Sequence, residues 1–138
     1  MYFIITIDTE GDNQWDHGRD LTVENLKYIP RFQELCEKYN ITPTYLLTSE
    51  VCNDEYAKEL FSGYVKDDVA EIGAHLHSWT TPPFRELDGF RENDSNHTFA
   101  TELPRDMLNQ KIRNLTDQIA AWCGRRPTSF RSGRYGFN

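Results

Sequence analysis

The chain has no apolar run of 18 residues, no CxxC spacing and no surplus of positive charge. The first absence excludes a membrane-spanning helix, which needs about 20 mainly apolar residues. Three cysteines, Cys36, Cys52 and Cys123, are an odd number, which fits reduced structural thiols in a reducing compartment. A formal net charge of -7 argues against nucleic acid or an anionic membrane surface as partner, because both require a positive field. The short basic cluster Arg125, Arg126, Arg131, Arg134 does not reverse that balance. The N-terminus shows neither a basic leader nor a separate apolar segment with a small-residue cleavage site, so the expected location is cytoplasmic. The sequence leaves open whether the protein is an oligomer.

No polar low-complexity tract, linker or internal repeat interrupts the 138 residues, a length that suits one domain with a real core. A hydrophobic fraction of 38% with 13% aromatics points to a folded chain rather than a disordered one. Four β-branched or apolar runs read as strands: 2–7, 41–48, 69–77 and 127–132. Between them lie helical periodicities from Thr22 to Tyr39, from Asn53 to Val65, and from Leu108 to Trp122. Thr22 or Asp20 is the expected cap of the first helix and Pro30 an expected kink within it. The third opens near Pro104 and closes at Gly124. A polar stretch from 78 to about 100 is long enough to expect a functional loop. Alternation of strand and helix predicts an α/β fold of parallel strands, whose C-terminal strand ends carry the chemistry.

Polar residues gather at those ends. Asp8 and Glu10 are two apart at the end of the first strand, and His75 and His77 are two apart at the end of the third. Period-two alternation turns each pair toward a single face. Two carboxylates and two imidazoles suit zinc first, with cobalt, nickel, iron or manganese as alternatives. A three-ligand site suits hydrolysis of an amide or ester, with one of the two acids as ligand and the other as proton acceptor. Arg131, at the end of the fourth strand, is placed to keep a carboxylate ionised. Trp15, Trp79, Tyr135 and Phe137 lie just past strand ends, where aromatic faces stack on sugar rings. Gly133 and Gly136 allow close backbone approach to a ligand. His17 and His97 sit in polar loops without a paired ligand and read as solvated.

Three stretches carry a family resemblance: T-I-D-T-E-G at 6–11, E-I-G-A-H-L-H-S-W at 71–79 and F-R-S-G-R-Y-G at 130–136. In order and placement they resemble the three motifs of the polysaccharide deacetylase family, the NodB homology domain of carbohydrate esterase family four. The resemblance implies metal-dependent removal of an N- or O-acetyl group from a sugar or polysaccharide. It implies Asp8 as general base with Arg131 orienting it, and His75 as a metal ligand. Thr9 stands where the family has its second aspartate, so Glu10 becomes the expected carboxylate ligand. Trp79 stands where the second histidine usually falls, so His77 becomes the expected third ligand. Trp79, Arg134 and Tyr135 are the expected substrate contacts. The fold implied is the N-terminal part, about half, of a (β/α) deacetylase-type barrel. Two other functions fit the same residues: a catalytically silent glycan-binding module, and a metal-dependent amidohydrolase acting on a small nitrogenous substrate.

Overall fold

The computed structural model describes residues 3–14, 16, 19–84, 86–87, 90–91 and 99–136. Trp15, His17, His97 and Phe137 lie outside the described residues. In chain order the regular elements are β1 (Thr6–Thr9), α1 (Ile29–Lys38), β2 (Thr44–Leu47), α2 (Ser49–Asn53), α3 (Glu55–Lys66) and β3 (Glu71–Leu76). They continue as β4 (Glu86–Leu87), β5 (Phe90–Arg91), α4 (Arg105–Cys123) and β6 (Phe130–Ser132). Strands β1, β2, β3 and β6 form one all-parallel sheet in that order, and β4 pairs with β5 antiparallel. The fold is α/β, as the alternation predicts.

The sheet's register assigns its faces. Asp8 is opposite Leu46, Leu46 opposite Gly73, and His75 opposite Arg131. Partners in a parallel ladder share a face, and alternate residues along a strand return to it. One face therefore carries Asp8, Leu46, Gly73, His75 and Arg131. The other carries Tyr45, Leu47, Ile72, Ala74 and Leu76, which join Phe61, Leu115 and Ile119 of the helices in the hydrophobic core. Burying each large side chain there contributes about 1.5–3 kcal/mol before entropy is counted.

The sheet is curled into a half-barrel, and the polar face is its concave side. Adjacent strands lie about 4.8 Å apart, so a flat sheet would hold β1 about 14 Å from β6. Yet Arg131 of β6 reaches β1, with Nη1 2.5 Å from Asp8 Oδ1 and Nη2 2.5 Å from Thr6 Oγ1. Curling closes that gap. Gly73 permits it on the inside, since a Cβ there would lie 2.9 Å from the Ser129 carbonyl oxygen and would run into Leu46.

Several local expectations shift. The first strand covers Thr6–Thr9 rather than 2–7, because β1 is an edge strand whose partner begins at Thr44, and Phe3 and Ile4 are left exposed. Pro30 starts a helix rather than kinking one: a 3-10 turn at Glu24–Tyr28 precedes α1, and Pro30 falls in the first turn of α1. Its missing N–H is one that a first turn leaves unbonded in any case. Neither Thr22 nor Asp20 caps this segment. Asp12 does so from the preceding loop, accepting from the backbone N–H of Glu24 at 2.6 Å and of Asn25 at 3.0 Å. The second helix is preceded by short α2, and Asp54 caps α3 by accepting from the Ala57 N–H at 2.8 Å. The last helix closes as expected at Gly124, with φ 72°. Among the described residues no helix is long and apolar enough to cross a membrane, and all three cysteines are free thiols.

Candidate metal centre

Glu10, one residue beyond β1, keeps the alternation and stays on the concave side with Asp8. Thr9 turns the other way, is buried, and donates its hydroxyl to the Ile7 carbonyl at 3.2 Å. His75 lies on β3 and His77 one residue past it, both buried. Glu10 Oε2 is 3.1 Å from His77 Nε2 and 3.5 Å from His75 Nε2, and the two Nε2 atoms are 3.1 Å apart. Among the described residues, Glu10, His75 and His77 form the group whose donor atoms could share one ion.

The donor triangle fits a tetrahedral ion. Zinc bonds of about 2.0–2.2 Å place neighbouring donors about 3.3–3.6 Å apart in tetrahedral geometry, close to the edges seen here. The ring of His75 is also oriented for this. Its Nδ1 lies 3.0 Å from the backbone carbonyl of Arg131, an acceptor that makes Nδ1 the protonated nitrogen and leaves the Nε2 lone pair toward the triangle. Burial pushes the Glu10 carboxyl pKa up, but hydrogen bonds and positive charge from His75 and His77 outweigh this and hold it down at about 2. The carboxylate is thus the stable form at neutral pH.

Asp8 stands beside the triangle rather than within it, with Oδ2 3.9 Å from His75 Nε2. Its other oxygen is bound by Arg131 at 2.5 Å, a contact that fixes the direction of the carboxyl group. Asp8, Glu10, His75, Ser132, Arg134 and Tyr135 line a pocket of about 210 Å³. That is below the range of drug-sized ligand sites and suits a small substituent group. Arg134 and Tyr135 enter the mouth of this pocket on consecutive left-handed backbones, φ 56° and 54°. Such conformations cost of order 1–3 kcal/mol per non-glycine residue and cluster at functional sites. The Arg134 guanidinium lies over the Phe99 ring at 4.4 Å, and Tyr135 is 81% exposed.

Trp79 is placed differently from the other expected substrate contacts. Its ring stacks on His77 with centroids 4.4 Å apart. Gly133 packs closely against the same imidazole, since a Cβ there would lie 2.5 Å from His77 Cδ2. The close approach that Gly133 allows is therefore to a histidine of this chain.

Three supporting residues stand outside the sequence motifs. Gln14, in the loop after β1, stands against His77, and Glu50, in α2, stands against Gln14; nothing in their spacing marks them. Lys111 of α4 is fully buried and donates from Nζ to the carbonyls of Ser78 at 3.0 Å, Pro83 at 2.9 Å, and Thr81. It thereby ties down the loop that leaves His77. Here the sequence does carry a signal, since Lys111 interrupts the buried helical stripe Met107, Leu115, Ile119 at four-residue spacing. Comparison of the chain with protein-family models, with curated proteins and with solved structures returns no match.

Proposed function

We propose that this protein is a metal-dependent hydrolase that removes an acetyl group, N-linked in the first instance, from a sugar or polysaccharide. One observation carries the reading: a Glu10–His75–His77 donor triangle and an Asp8–Arg131 pair meet at one end of a curled parallel sheet. A divalent ion held by Glu10, His75 and His77, zinc before cobalt, nickel, iron or manganese, supplies Lewis-acid polarisation of the acetyl carbonyl and acidifies nearby water. Asp8 takes the proton of the attacking water, and the Arg131 guanidinium holds its carboxyl group in place. The pocket takes the acetamido group. Arg134 and Tyr135 at its mouth contact the sugar, and Trp79 supports His77 from behind. The sugar itself is suggested by the resemblance of the three motifs to polysaccharide deacetylases. Three free thiols suit the reducing conditions of the cytoplasm.

The test joins metal content with product analysis. Purified protein should bind one divalent ion at micromolar concentration and release acetate from a panel of N-acetylated sugars and oligosaccharides, and His75→Ala with His77→Ala should lose both properties. No ion bound at that concentration sinks the reading. An ion bound without acetate release from sugars, but with hydrolysis of small amides, would replace the substrate and keep the chemistry.

A further inference from the structure

Gln14 lies four residues beyond Glu10 in the chain and is 3% exposed. Its carboxamide meets three groups. On one arm are the Trp79 indole Nε1 at 3.1 Å and His77 Nδ1 at 2.5 Å; on the other is Glu50 Oε1 at 2.8 Å. An indole N–H can only donate and an ionised carboxylate can only accept. Glu50 Oε1 is further marked as an acceptor by the Gly11 backbone N–H at 3.2 Å. The arm facing Trp79 is therefore the oxygen, and the arm facing Glu50 is the NH2 group. His77 Nδ1, on the oxygen side, must carry a proton to make its contact.

We propose that Gln14 is a positioning residue that fixes His77 as the Nδ1–H tautomer and so presents the Nε2 lone pair to the metal centre. The inference rests on the metal-centre reading and deepens it. The two histidines are then held by different means. His75 leans on the Arg131 main-chain carbonyl, an acceptor that any residue at 131 would supply. His77 leans on a side chain, so its tautomer depends on residue 14 and on Glu50 holding that carboxamide the right way round. Glu50 in turn accepts from the Gly11 N–H and the Thr48 hydroxyl. Gln14 thus links the loop that carries Glu10 to α2 through Glu50 and to the loop after β3 through His77 and Trp79.

The tautomer can be read directly in metal-free protein carrying 15N-labelled histidine, by long-range 1H–15N correlation at pH 8. The expected wild-type result is a protonated Nδ1 at His77 whose proton exchanges slowly with solvent. Gln14→Met keeps the length and removes the acceptor. It should give His77 a mixture of tautomers, leave His75 unchanged, and weaken zinc binding ten- to a hundredfold, the usual cost of losing such a partner, with a lowered thermal midpoint because Trp79 and Glu50 lose their partner as well. A wild-type His77 protonated on Nε2 with Nδ1 bare overturns the proposal without any variant needing to fold. So does a Gln14→Met protein with unchanged tautomer and unchanged zinc affinity. Zinc titration of the wild type separates the two readings: no binding sinks the metal centre and this inference with it, whereas tight zinc binding by a protein whose His77 keeps its proton on Nε2 sinks this inference alone.

Discussion

Along β3, Ile72, Ala74 and Leu76 enter the helix-covered core, while Gly73, His75 and then His77 follow the concave side. Both faces are largely shielded from water at this strand, but their contents differ in kind. The core face holds apolar side chains whose burial stabilises the fold. The concave face holds two imidazoles, with two carboxylates and an arginine arriving from β1 and β6, groups that are costly to desolvate unless each finds a partner. The helix-covered face thus supplies the packing that stabilises the fold, and the concave face holds the polar groups that the curvature brings together. Substitutions on the two faces should therefore separate stability from chemistry.

The largest expected effect is on the concave face. Asp8→Asn keeps the shape and the partners' positions but removes the proton acceptor. Acetate release should fall about a hundred- to ten-thousandfold, with metal affinity changed only a few-fold and the denaturation midpoint little moved. Equal losses of metal and activity would instead place Asp8 among the ligands.

Next comes the opposite face. Ile119 of α4 is fully buried in the core, and Ile119→Ala should destabilise by about 2–5 kcal/mol, read as a shift of the urea midpoint at constant slope. Below its melting temperature the variant should still bind the ion with near wild-type affinity. A loss of affinity as large as the loss of stability would show that the two faces are not separable.

A smaller effect follows from Glu10, whose folded pKa of about 2 lies below the ordinary value of 4.5. For a depressed carboxyl the stabilisation is fully present above the unfolded pKa and is lost as pH falls through the folded one. In metal-free protein, the stability gap between wild type and Glu10→Gln should be present near pH 5 and shrink from pH 4.5 toward 2. Its ceiling is about 3 kcal/mol by the linkage between pKa and free energy. A gap already closing well above that range contradicts this assignment.

How much of the fold and site is legible in the sequence depends on whether the controlling contact is periodic. Strand alternation has period two, so the pairing of Asp8 with Glu10 and of His75 with His77 on one face follows from their spacing alone. The same rule continues one residue past β1 and past β3, which is why Glu10 and His77 face the site. Closure between β1 and β6 is not legible in the periodicity, because nothing local states that Arg131 will meet a residue 123 positions away; the Asp8–Arg131 pair is expected only through the resemblance of the motifs. Gln14 is hidden for the same reason, its partner His77 being 63 residues distant. The expected first strand begins too early because β propensity at Phe3 and Ile4 counts for little without a neighbouring strand to pair with them. Pro30 is ambiguous because a proline inside a helical period and a proline opening a helix look alike unless the preceding 3-10 turn is known.

Two glycines sharpen the comparison at the smallest scale. Gly73 and Gly133 both occupy positions where a Cβ would collide, but with different neighbours. At Gly73 the obstacles are Leu46 and the Ser129 backbone; at Gly133 they are the His77 ring and the Leu76 carbonyl oxygen, 2.8 Å away. Overpacking of this kind costs about 1–3 kcal/mol. In Gly73→Ala that strain has to spread the sheet, so it should appear mainly as lost stability. In Gly133→Ala part of it is relieved by displacing the His77 imidazole, which also stacks on the Trp79 ring. Metal affinity should then fall about tenfold or more, while the urea midpoint drops less than in Gly73→Ala. Calorimetric zinc titration and denaturation of both variants give the comparison. Equal stability loss in the two, with zinc affinity untouched in Gly133→Ala, would mean that the His77 position does not depend on the bare backbone at residue 133.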